Sequence, residues 1–207
     1  GNMVMIWETW PLYPGAVTHG YLLGGLFTYM FVHAGFAHIA GNMLFLWIFG
    51  DNLEDELGHF GFAVFYLATG LAAAAAQILA EPNSAAPMVG ASGAIAGVMG
   101  GYLLLFPRAK VDVLFIFGFF FKVFAIPAWV VLGVWFVIQL FSGSTAGAAD
   151  IGVAYWAHVG GFAMGVLLTL PVWLRRGGAS FWARTHGQPD HAATNYPTRI
   201  PIVRRRR

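Results

Sequence analysis

The chain has 207 residues, 58% of them hydrophobic and only 10% charged, with a formal net charge of +2. A soluble domain carries roughly a quarter charged residues, so this one lacks the polar surface to cover a water-soluble globule, and lipid is its expected solvent. Cys is absent, which excludes disulfides, thiolate metal sites and cysteine nucleophiles. No basic stripe in the internal segments points to nucleic acid. No P-loop or dinucleotide glycine pattern follows a strand, so no nucleotide or other cofactor is expected.

Residues 1–20 are mixed in polarity and contain Pro11 and Pro14, which reads as an external loop rather than a helix or signal peptide. A helical crossing of the bilayer takes about 20 apolar residues. Five stretches are candidate spans: 36–50, 60–80, 88–106, 124–141 and 153–174. The segment 111–121 is apolar but too short to cross as a helix, and it is bounded by Lys110 and Lys122. It reads as an interfacial or re-entrant element. Residues 175–207, with a Gly-Gly pair, three Pro and a run from Arg204 to Arg207, read as a disordered basic cytoplasmic tail. The expected fold class is all-α, a polytopic membrane helical bundle with a core over 36–174. Five spans would leave the N-terminus outside with nothing to carry it there, and position 1 is Gly. A further transmembrane helix is therefore expected upstream.

All Lys and Arg lie at or after Arg108. Arg108 and Lys110 follow the third span and Arg175 and Arg176 the last, and loops rich in such residues stay cytoplasmic. Counting back, the starts of the spans carrying His38, Ser92 and His158 all face outward, at one level. Polar groups inside a membrane are costly and usually functional.

A hydroxyl attacks an amide only if a base takes its proton and donors stabilise the oxyanion. Ser92, within Gly90-Ala91-Ser92-Gly93, is the expected nucleophile. Pro87 and Gly90 keep the preceding segment non-helical, which places Ser92 at a helix N-terminus among unpaired amides. The rival reading is structural: Gly93, Gly97 and Gly101 recur every four residues, the spacing of tight helix packing. His158 is the expected general base, and Gly161 and Gly165 let its helix approach that glycine ladder. Its rival role is to hydrogen-bond a neighbouring helix. No acidic third member is evident, Asp150 being eight residues before His158, so a Ser-His dyad is expected. His38 and Asn42, four apart, share a helix face and suit an oxyanion site. A metal site of His33, His38 and His158 is the weaker rival, because His33 and His38 are five apart and no carboxylate joins them. Glu54 reads as an interfacial cap or loop anchor.

His33-Ala-Gly-Phe-Ala-His38-Ile-Ala-Gly-Asn42, Gly90-Ala-Ser92-Gly93 and Ala157-His158-Val-Gly-Gly161 together resemble the signature motifs of rhomboid intramembrane serine proteases, over about residues 20–174. The resemblance implies a Ser92 nucleophile with His158 as its base. His38, Asn42 and the Ser92 amide would form the oxyanion hole. His33 would sit in the loop before that helix, Glu54 would act structurally near its end, and residues 1–35 would form an external loop lying partly in the outer leaflet. The family has six core helices, of which the first is not visible in this chain. Ala96 stands where some members have a Tyr against the catalytic His.

The expected activity is hydrolysis of a peptide bond in or near a substrate transmembrane helix. Partners would be such substrates and the bilayer, with no nucleic acid, in a cell membrane, the bacterial inner membrane being the expected one. The alternatives are a non-proteolytic rhomboid-like binder or chaperone of transmembrane helices and, less favoured, a small transporter.

Overall fold

The computed structural model describes residues 2–145 and 153–189. Short elements come first: α1 (Asn2–Thr9), α2 (Pro14–Thr18), α3 (Gly25–Thr28) and a 3₁₀ turn at Tyr29–Phe31. This segment is tied down. Leu12 and Met88 exchange backbone hydrogen bonds of 3.0 and 2.8 Å, and the Tyr29 hydroxyl donates to the Gly70 carbonyl at 2.8 Å. Leu12, Tyr29 and Met30 are buried.

Helix α4 (Phe36–Ala80) unites the first two expected spans. Its helical geometry is interrupted at Gly58, whose φ of 71° and ψ of 159° lie outside the range open to most side chains. The chain doubles back at that point, because a Cβ at Gly50 would meet the Phe62 ring at 3.4 Å. The residues around the reversal include all the titratable ones of this region: Asp51, Glu54, Asp55, Glu56 and His59. Glu54 accepts from His59 Nδ1 at 2.6 Å, and Glu56 pairs with Arg176 at 2.6 Å.

Helix α5 (Ser92–Leu105) is the centre of the bundle, with eleven of its residues buried. Its small residues explain why. Gly97 lies against Thr69 of α4 and Gly100 against the Phe162 carbonyl of α7 (Tyr155–Arg175). Gly161 and Gly165 of α7 lie against the carbonyls of Gly93 and Gly97. Lipid tails are as apolar as Leu, so close backbone approach rather than hydrophobic burial is what holds such helices together. The large apolar side chains accordingly face outward: Phe36, Trp47, Phe60 and Leu79 are all exposed.

Among the described residues three helices are long and apolar enough to cross a membrane: α4, α6 (Ala128–Thr145) and α7. The third expected span is shorter than the sequence suggested. With 14 residues, α5 rises about 21 Å, against a hydrocarbon core of about 30 Å. With its Leu105 end at one interface, its Ser92 end stops about 9 Å short of the other.

Two expectations need correcting. The bundle is mostly helical but not all-α: residues expected as an interfacial or re-entrant element, with the start of the fourth span, form an antiparallel hairpin. Strand β1 (Lys110–Phe117) pairs with β2 (Phe120–Pro127) in register from Lys110↔Pro127 to Phe117↔Phe120. Gly118, at φ +59°, opens the two-residue turn, as type II′ geometry requires. Both faces of the hairpin are apolar, so the alternation that announces a strand is missing. The tail differs as well. Residues 179–185 form α8 (Ala179–Thr185), whose Phe181 is buried in the core and whose Trp182 indole donates to the Leu104 carbonyl at 2.9 Å. Aromatic side chains that find both a core and a hydrogen-bond acceptor order this stretch. Arg204 to Arg207 lie outside the described residues.

Candidate active site

Ser92 is the first residue of α5, where the sequence placed it. The preceding Gly90 has φ +114°, and a Cβ there would meet the His38 ring at 2.7 Å. Only glycine admits both the backbone and the imidazole. The first-turn amides of α5 have no partners within the helix.

The Ser92 hydroxyl lies 2.8 Å from His158 Nε2. These residues are 66 apart in sequence, and the packing of Gly161 against the Gly93 carbonyl is what brings them together. His38, near the start of α4, presents its Nε2 edge to Gly90. Its Nδ1 accepts from the Ala34 amide at 3.3 Å, so a neutral His38 ring carries its proton on Nε2, toward the cleft. Asn42, one turn on, is buried and spends one amide hydrogen on the His38 carbonyl at 2.8 Å, leaving a second to give. His33 Nε2 accepts from the Ala91 amide at 3.4 Å, and its ring meets that of His38 edge-on at 5.2 Å. Burial, and secondarily His38, lower the pKa of His33 below its usual 6.5, which favours the neutral ring this contact needs.

A cavity of about 1220 Å³ opens over these groups, lined among others by His38, Asn42, Ser92, Trp135 and His158. It is large enough for water and an extended peptide segment. A second cavity, about 260 Å³ beside Tyr13 and Asn83, joins no nucleophile to a base.

The structure therefore brings together Ser92, His158, His38, Asn42, His33 and Gly90, with Gly93 and Gly161 at the packing contact that sets their spacing and Gly165 one turn further along it. Glu54 is not among them: its neighbour Leu53 lies against Gly101, nine residues along α5 from Ser92, and Glu54 holds His59 at the reversal. The His33, His38 and His158 imidazoles do not converge as a metal site, since His33 and His158 each direct Nε2 to a different protein group. Among the described residues no cluster of three His, Asp or Glu side chains could hold a metal ion. Asp150 lies outside the described residues.

Comparison with known proteins places the chain in a family. The family description "Rhomboid domain" matches residues 22–175. The chain belongs to the rhomboid family. It is 36% identical over 145 residues to "Rhomboid protein 1, mitochondrial" of Saccharomyces cerevisiae, covering 66% of this chain and 38% of that one. It is 44% identical over 71 residues to "Rhomboid-like protein 11, chloroplastic" of Arabidopsis thaliana, covering 34% and 25%. It is 40% identical over 78 residues to "Rhomboid protease GluP" of Bacillus subtilis, covering 38% and 15%. The matched stretches thus span well under half the length of these relatives. This rhomboid is a multi-pass membrane protein, with α4, α6 and α7 the membrane-length apolar helices among its described residues.

Sequence reasoning missed two residues of this rhomboid's site. Gln77, on the second arm of α4, accepts from the Ala157 amide at 3.2 Å in the first turn of α7. Gln139, on α6, lies with Oε1 2.8 Å from His158 Nδ1. A signal was present for each: Gln77 is the one polar side chain in the run 70–80, and Gln139 the one non-aromatic polar side chain in 128–141. Polar residues in spans mark functional positions by default.

Proposed function

We propose that this rhomboid is an intramembrane serine endopeptidase working by a Ser-His dyad at Ser92 and His158. The observation that carries the reading is the 2.8 Å contact between Ser92 Oγ and His158 Nε2 beneath a cavity large enough to hold water and peptide. The hydroxyl donates to the unprotonated Nε2, and its oxygen attacks the scissile carbonyl as the proton passes to the imidazole. Charge developing on the carbonyl oxygen meets the Asn42 amide, His38 Nε2–H and the Ser92 backbone N–H, donors fixed before substrate arrives. The imidazolium then protonates the leaving amine, and water admitted through the cavity hydrolyses the acyl-enzyme by the same steps in reverse.

Amides in a helix are already hydrogen-bonded, so a transmembrane substrate must unwind locally before it reaches Ser92. Small or helix-breaking residues near the membrane surface favour that step. The basic residues Arg108, Lys110, Arg175 and Arg176 lie at the end of the bundle away from Ser92, which orients the site toward the outer face and residues 175 onward toward the cytoplasm. A cell membrane is the proposed location.

The test is cleavage of a model transmembrane substrate in liposomes by wild type, Ser92→Ala and His158→Ala, with a fluorophosphonate probe reporting on the hydroxyl. Cleavage and labelling are expected from wild type and from neither variant. Undiminished cleavage by Ser92→Ala removes the assignment.

A further inference from the structure

Gln139 is the one polar side chain among the buried residues of α6, whose Trp129, Val134, Val137, Ile138 and Phe141 are exposed. Together with Ala128, Leu132 and Trp135 it makes the inward face of α6, at the spacing of a helix stripe. Trp135 lies 5.7 Å, centroid to centroid, from the His158 ring, and Phe136 stacks on Phe162 at 4.6 Å. These contacts seat α6 against α7 and set the Gln139 amide behind the imidazole, while Ser92 lies at its front. A primary amide buried in this position has no packing advantage over Leu and needs a partner. Its partner is His158 Nδ1.

We infer that Gln139 is a positioning residue that holds His158 in the tautomer with the proton on Nδ1, leaving Nε2 free to accept from Ser92. This rests on the Ser-His reading above and deepens it: the dyad has a neutral third member, supplied by α6. The end of the amide that faces the ring decides the chemistry. An oxygen at 2.8 Å accepts from Nδ1–H, whereas an amide nitrogen there would force the proton onto Nε2 and leave Ser92 without a base. An uncharged acceptor also stabilises the imidazolium less than a carboxylate would, so His158 returns its proton readily to the leaving group. Because the acceptor sits on α6 and the base on α7, any loss of contact between these helices also withdraws the acceptor.

The titratable groups that share the cavity with His158 are Tyr29 before α4, His38 on α4, Glu81 just past its end, and Tyr155 on α7. Among the described residues no carboxylate pairs with His158.

The experiment has two readouts on the full chain. The first is nitrogen NMR of histidine-labelled protein in nanodiscs, with His158 assigned through His158→Ala. Wild type is expected to show a protonated Nδ1, and Gln139→Leu a mixture of tautomers. An identical His158 tautomer in both overturns the proposal whether or not the protein is a protease. The second is substrate cleavage. Gln139→Leu is expected to lower kcat on the order of 10- to 100-fold, as loss of an orienting hydrogen bond does, with KM little changed. Gln139→Glu keeps an acceptor, so it should cleave faster than Gln139→Leu. Its negative charge favours imidazolium and should move the acid limb to higher pH than in wild type. Gln139→Met replaces Gln139→Leu if the latter fails to fold. Full cleavage by Gln139→Leu, or equal loss in the Leu and Glu variants with one shared pH profile, also overturns the positioning role. Undiminished cleavage by Ser92→Ala defeats the protease reading instead and leaves the tautomer measurement standing.

Discussion

Gly161→Ala is the most searching single perturbation of the packing that builds the site. In an unconstrained helix this change is favourable by up to about 1 kcal/mol. In α7 the added Cβ would fall on the Gly93 carbonyl, with Ala73 Cβ at 3.4 Å on another side. The obstacle is backbone, so no rotamer change relieves it, and α5 and α7 must part by about 1 Å to restore ordinary contact. Overpacking of this kind costs about 1–3 kcal/mol, part of it offset by the propensity gain. The consequence for chemistry is larger. Ser92 and His158 sit on the two helices being parted, and their 2.8 Å contact would stretch to roughly 3.8 Å, beyond hydrogen-bond range. A misplacement of that size costs about 100-fold in rate, or about 2.7 kcal/mol of transition-state stabilisation. Cleavage kinetics in liposomes and thermal unfolding in detergent should therefore show a large loss of kcat beside a modest loss of stability. Gly133→Ala on α6, where an added Cβ meets nothing within 4 Å, should leave both unchanged. A Gly161→Ala protein that cleaves as fast as wild type would refute the link between glycine packing and dyad geometry.

Two further outcomes follow from other parts of the molecule. Gly58→Ala places a Cβ at φ 71° and should destabilise the reversal of α4 by about 1–3 kcal/mol, read as a lower midpoint of thermal unfolding, although an added Cβ there would have open space around it. The His33 prediction concerns acid. Its folded-state pKa lies below 6.5, from burial first and His38 second. As pH falls below that value the unfolded chain takes up the proton before the folded one does, so stability is lost on acidification and unaffected above neutrality. The unfolding midpoint of wild type should fall more steeply between about pH 7 and pH 5 than that of His33→Gln. Parallel curves would show that the contact between His33 and the Ala91 amide does not depend on a neutral ring.

Much of this rhomboid could be read without coordinates because its signals are local or compositional. Too few charges to coat a globule mean lipid, and Pro87 with Gly90 ends irregular chain just before Ser92. Four-residue spacing puts His38 and Asn42 on one helix face. Those inferences need only periodicity and the chemistry of single side chains, and they name both members of the proposed dyad. Tertiary structure decided what depends on partners distant in the chain. The hairpin over 110–127 stayed hidden because a strand apolar on both faces resembles a short buried helix. Order in 179–185 depends on where Phe181 and the Trp182 indole find a core and a carbonyl to meet. The place of Gln139 behind His158 follows from how α6 seats on α7. A polar residue in a span announces that it has a partner, and only the packing of two helices says which partner it is.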